Sequence, residues 1–141
     1  MTDQEILTVL QQRDLKFMQY LGGGIVGADK QKQEAVMVFE PGDDLCHSGN
    51  VIQGGFLTAM LDAAMAHAVM VASEMTLTPP TLELKISFLK PGLPGPHRAV
   101  GRVVRMGKSV GFLEGELYNV DDELIAKSSA TARLVPAAPV S

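Results

Sequence analysis

The run His47-Ser48-Gly49-Asn50-Val51-Ile52-Gln53-Gly54-Gly55, together with the apolar segment that follows it, holds the residues best suited to chemistry. Two glycines opening a helix leave its first N–H groups without internal partners, at the positive end of the dipole. Glycine also lets a ligand approach the backbone closely. Such a terminus can polarise a carbonyl and hold the oxyanion that forms on attack. Asp62 lies eight residues on, among Met60, Leu61, Ala63 and Ala64. A carboxylate in apolar surroundings is costly to bury, and desolvation raising its pKa suits a general base or a nucleophile that forms an acyl anhydride. Each piece alone has an ordinary structural explanation: a glycine-rich helix entry, and an Asp tied to a nearby loop. Together they point to attack on a carbonyl.

Spacing adds a condition. At roughly 1.5 Å per residue, Gly54 and Asp62 are about 12 Å apart along one helix. A carbonyl carbon within about 3 Å of the base cannot also have its oxygen bound at Gly54 of the same helix. If both act on one carbonyl, they come from different subunits. The expectation is a homodimer with two equivalent sites at its interface.

Other candidate motifs fail on context. Gly22, Gly24 and Gly27 match G-x-G-x-x-G, but a helix-like segment precedes them and a strand follows, the reverse of a dinucleotide fingerprint. Gly107-Lys108-Ser109 resembles the end of a P-loop, yet the first required glycine falls on Arg102. His67, inside the apolar segment, reads as a core histidine, and the lone Cys46 as a small apolar side chain.

The elements that position these residues follow from pattern. Thr2 and Glu5 have capping-box spacing before a helix that buries Ile6, Leu7 and Leu10. Ala35 to Glu40 reads as a strand, with Ile25 to Ala28 as a possible hairpin partner, and His47 to Gln53 as a loop. A helix runs from about Gly54 to Glu74, and it is apolar nearly all round, so it should be buried on all sides. Leu82, Leu84, Ile86 and Phe88 alternate with polar residues, giving a half-buried strand. Three further strands follow over 98–105, 110–120 and 124–135. The order is α+β, with an antiparallel sheet. A curved antiparallel sheet wrapped around one long buried helix satisfies the pattern, and that arrangement is the hotdog fold. Residues 1–20 form a helical segment packed on a single domain of residues 21–135, and 136–141 a flexible tail.

Composition narrows the function classes. A net charge of −4 over 141 residues gives no basic face for nucleic acid. The segment Gly54 to Ala72 is near membrane-spanning length, but Asp62 and His67 lie within it, and soluble-type strands follow. A single cysteine excludes an internal disulfide and makes a cytoplasmic compartment the default. No Cys/His cluster has metal-ligand spacing, so neither a metal nor a redox cofactor is implied.

The run from His47 through Asp62, the strand TLELKISFLKP (Thr81 to Pro91) and Gly107-Lys108-Ser109 together resemble the PaaI-type branch of the hotdog-fold acyl-CoA thioesterases. The resemblance covers roughly residues 35–135. It implies that Gly54 polarises the thioester carbonyl, that Asp62 activates water or attacks, that Thr81 positions the water, and that His47 lies near the thioester. Many relatives carry His where this chain has Gln53, which can donate a hydrogen bond but cannot titrate. For coenzyme A the resemblance points to Gly55, Phe88, Lys90 and the turn Gly107, Lys108 and Ser109, with Arg105 and Arg133 as further cations for phosphate. It also implies a dimer of dimers. Two other readings stay open: a hotdog hydratase or dehydratase, and a non-catalytic acyl-CoA-binding module.

Overall fold

The computed structural model describes residues 1–138. Thr2 Oγ1 accepts the Glu5 N–H at 3.1 Å and starts α1 (Asp3–Gln11), which buries Ile6 and Leu10 completely. A second short helix, α2 (Lys16–Leu21), ends where Gly22 takes a left-handed φ of +80°. The chain then enters the hairpin of β1 (Gly23–Asp29) and β2 (Glu34–Phe39). The stretch expected to be a plain loop instead forms a small hairpin, β3 (Cys46–Ser48) with β4 (Val51–Ile52). Gly49 at φ +53° makes its turn, and a β-branched pair follows.

Next come α3 (Gly54–Ala72), β5 (Leu77–Thr78), β6 (Thr81–Phe88), β7 (His97–Met106), β8 (Val110–Tyr118), β9 (Leu124–Arg133) and β10 (Val135–Pro136). Six strands form one antiparallel sheet in the order β1-β2-β7-β8-β9-β6. The helix α3 packs mainly across β2, β7 and β8. This is the hotdog arrangement, an α+β fold with one long central helix.

Close approach of helix to sheet depends on both partners. Ala64 is fully buried on α3 directly over Gly101, and Gly115, opposite Gly101 across β7 and β8, lies beneath Leu61 and Met65. A Cβ on Gly101 would lie 2.1 Å from the Ala64 carbonyl oxygen, backbone that cannot swing aside. Gly101→Ala is therefore expected to cost about 3 kcal/mol by overpacking, read as a lowered midpoint in chemical denaturation.

Three expectations need correction. The helix is not buried on all sides: Gly55, Thr58, Ala59, Asp62 and Ala66 form a partly exposed stripe, because the sheet covers only one side of it. The alternation in β6 does not bury its ends, since Leu82 is 60% and Phe88 52% exposed. The strand β6 is a sheet edge, so its outer side has no neighbour within one chain. Finally, the expected tail begins paired: Pro136 aligns with Leu77, and the Ala137 N–H donates to Thr76 O at 2.8 Å. Residues 139–141 lie outside the described part.

Candidate active site

The helix entry is held from two sides before α3 begins. The Ile52 N–H donates to Gly92 O at 2.8 Å and the Gln53 N–H to Leu45 O at 3.0 Å. Gly92, to which the sequence alone assigns no role, is thus an anchor of the site. The Gln53 side chain is the N-cap: its Oε1 accepts the Gly55 N–H at 2.7 Å, while the Phe56 N–H donates to Gln53 O.

Each glycine now has its own reason. A Cβ on Gly55 would sit 2.7 Å from Gln53 Oε1, so Gly55 makes room for the cap. A Cβ on Gly54 would lie 3.1 Å from the Phe88 ring, so the ring rests over the helix entry. The Gly54 N–H has no intrahelical acceptor, and none of the hydrogen bonds at the entry uses it. With no acidic residue in the first turn, nothing opposes an anion there. One backbone donor is thus left for a carbonyl oxygen, and the Gln53 Nε2 group stays available beside it.

Asp62 lies two turns along α3 and is half-buried. The expected enclosed carboxylate is not found in the single chain, because Asp62 belongs to the exposed stripe. Thr81, the first residue of β6, donates its hydroxyl to Asp62 Oδ1 at 2.8 Å. Thr81 is itself fixed by pairing with Ala132, and the Arg133 N–H donates to Pro80 O at 2.9 Å. The threonine occupies one carboxylate oxygen and leaves the other open.

The remaining predicted residues fall into two groups at opposite ends of β6. Phe88, Lys90 and Gly55 gather at the Gly54 end, and the exposed His47 precedes that helix on β3, its Nδ1 within 2.8 Å of Ser48 Oγ. Lys90 is paired with Glu123, whose carboxyl is held below its usual range by hydrogen bonds from Lys90 and Asn119. At the Thr81 end, Arg105 lies opposite Phe112 and Arg133 opposite Val110. Beside them the turn Gly107-Lys108-Ser109 joins β7 to β8, with Gly107 N–H to Val110 O and Leu134 N–H to Ser109 O. A single chain does not bring the two groups together. Among the described residues, no three His, Cys, Asp or Glu side chains gather to hold a metal ion.

The histidine of α3 belongs to the core. His67 donates through Nδ1 to Ala63 O at 2.7 Å, and burial pushes its pKa below 6.5. Burial pushes His97 down in the same direction. Between the lowered folded value and 6.5 the unfolded chain binds more protons, so stability rises with pH there. Stability is therefore expected to fall as pH drops below about 6.5, before the carboxylates titrate. Urea midpoints at pH 7.5 and 5.5 measure it, and His67→Gln should reduce the difference.

The sequence profile of the thioesterase superfamily matches residues 49–126, more than half of the chain. The chain belongs to the thioesterase superfamily. Its general chemistry is accordingly hydrolysis of acyl thioesters. The thioesterase fold seen here is similar to that of the phenylacetic acid degradation-related protein of Ralstonia eutropha JMP134, with a TM-score of 0.83 and 30% identity. That match covers 91% of this chain and 98% of the other. PaaI of Escherichia coli, from the phenylacetic acid degradation operon, has the same fold at a TM-score of 0.81 and 22% identity, covering 94% and 92%. So does smu.793 of Streptococcus mutans UA159, solved bound to acetyl CoA, at 0.76 and 18%, covering 92% and 98%. The resemblance to PaaI-type thioesterases thus holds over fold and family.

Proposed function

We propose that this thioesterase hydrolyses acyl-CoA at two equivalent sites between chains paired along β6. The observation that carries this reading is the position of the two half-sites: Asp62 with Thr81 at one end of β6, and the free Gly54 N–H under Phe88 at the other. The free edge of β6 can pair antiparallel with a second copy about a two-fold axis. Centred between Leu84 and Lys85, that pairing sets Thr81 opposite Phe88 of the partner subunit. Asp62 then faces Gly54 of the partner subunit, and the cations around Lys108 approach Lys90 of the partner subunit. Pairing also covers Leu82 and Phe88. The acetyl CoA held by smu.793 supports a coenzyme A thioester as a ligand that this fold accommodates.

The thioester oxygen accepts the hydrogen bond from Gly54, and Thr81 fixes the Asp62 carboxylate. The free Asp62 oxygen takes a proton from water as the water oxygen bonds to the carbonyl carbon. The C–S bond then breaks, and the proton passes to the coenzyme A sulfur. Attack by the carboxylate itself would give an anhydride that water opens, with the same products. A dimer of dimers is also proposed, through the outer sheet face where Val104 and Phe112 are exposed beside Glu83, Lys85 and Glu114.

The test is release of free thiol from a panel of acyl-CoA thioesters, read with a thiol reagent, alongside hydration of an enoyl-CoA followed by absorbance. Thiol release is the expected result. Hydration without thiol release, or binding without turnover, would overturn the reading.

A further inference from the structure

A cavity of about 500 Å³ lies where α1, the end of α3, β5 and the start of the C-terminal segment meet. Val9, Met70, Met75 and Leu77 give it apolar walls, with Gln12, Arg13 and Thr78 as its polar groups. Its volume is within the range of small-molecule sites. It is also placed on a line from the catalytic carboxylate. Asp62, Ala66 and Met70 follow at intervals of four on one side of α3, with the small side chain of Ala66 between the first and last. Thr78 is three residues before Thr81, which holds Asp62. Two independent elements thus lead from the site to the cavity.

Arg13 gives the cavity its character. Its Nη1 lies 3.0 Å from Met70 Sδ, and no carboxylate is within ion-pair distance of it among the described residues. A thioether is a weak acceptor, whereas a guanidinium matches a carboxylate in both geometry and charge. An alkyl end packed there would strip water from the cation and return nothing. Length can be read from the helix. Eight residues separate Asp62 from Met70, about 12 Å. An extended chain advances roughly 1.2 Å per bond, taking about 3.6 Å per three-bond residue, so about ten chain atoms span the gap.

We propose that this cavity receives the far end of the acyl group, and that the preferred substrate is the half-thioester of a dicarboxylic acid of about ten carbons, its free carboxylate bound by Arg13. The inference rests on the acyl-CoA reading above and names its substrate class. Full-length protein would be assayed for kcat/KM on three coenzyme A thioesters: decanoyl, the half-thioester of decanedioic acid, and butyryl. Wild type is expected to favour the dicarboxylic substrate over decanoyl by about tenfold. Arg13→Met should abolish or invert that ratio, and Arg13→Lys should retain part of it. Leu77→Trp, which fills the cavity, should lower both ten-carbon substrates relative to butyryl. An Arg13→Met ratio within twofold of wild type, or a Leu77→Trp chain-length profile like wild type, overturns the proposal while leaving the hydrolase reading intact. If no thioester is cleaved, that reading fails instead. Calorimetric binding of free decanedioate to wild type but not to Arg13→Met then still decides the cavity.

Discussion

Asp62→Asn is expected to lower kcat on any cleaved acyl-CoA by at least about 10²-fold while leaving the fold intact. The amide keeps the size of the carboxylate and can still accept the Thr81 hydroxyl, so the contact at 2.8 Å survives in kind. What it loses is basicity and nucleophilicity, the two properties that either route to the acid product requires. Because Asp62 is half-buried on a stripe that the sheet does not cover, its replacement leaves no cavity in the core. The melting temperature should therefore stay within a few degrees of wild type. The loss should fall on kcat rather than KM, since the group acts mainly in the transition state. Thr81→Val is the graded companion. It removes the bond that orients the carboxylate but leaves the carboxylate itself, so the loss should be about tenfold, near the worth of one charge-assisted hydrogen bond. An Asp62→Asn enzyme as fast as wild type would remove Asp62 from the chemistry.

The parts legible in the sequence are those whose signal is local. Asp62 stands out because an acid interrupts an apolar run, and Gly54-Gly55 because glycines at a helix start expose backbone donors. The strands of the six-stranded sheet were visible from period, whereas the short strands β3, β4, β5 and β10 were not. Relations across the fold were not visible in the same way. That Gln53 caps α3 by accepting the Gly55 N–H depends on a side-chain rotamer, and the sequence suggested only a residue that can donate a hydrogen bond but cannot titrate. The glycine pair Gly101 and Gly115 carried a usable signal, since glycine inside a strand often marks close backbone approach, but pairing them needs the register of β7 with β8. The exposed ends of β6 misled for a physical reason. Alternating Leu82, Leu84, Ile86 and Phe88 records a face that must be covered without saying which chain covers it. Cavity walls drawn from α1, α3 and β5 likewise have no common sequence neighbourhood.

Mixed dimers should recover activity that neither parent has. An Asp62→Ala chain lacks the carboxylate. A Gly54→Val chain crowds the helix entry, since even a Cβ there meets the Phe88 ring at 3.1 Å. Each homodimer has only broken sites. With the proposed pairing along β6, a heterodimer sets Asp62 of the Gly54→Val chain against Gly54 of the Asp62→Ala chain, so one of its two sites holds both native groups, and the other holds neither. With equal co-expression, about half of the dimers are mixed and half of their sites intact, so roughly one quarter of wild-type activity is expected. Heterodimers purified through two different tags should reach about one half. Sites contained within one chain predict a different result, namely no more than the sum of the two weak parents. The distinction survives a partial folding defect in Gly54→Val, because a defect lowers the yield of heterodimer but not the activity per intact site. The edge strand supplies the matching control: Leu82→Asp combined with Ser87→Asp sets like charges directly opposite each other across the proposed pairing of β6. That variant should sediment as a monomer and lose hydrolysis, although Asp62, Thr81 and Gly54 all remain.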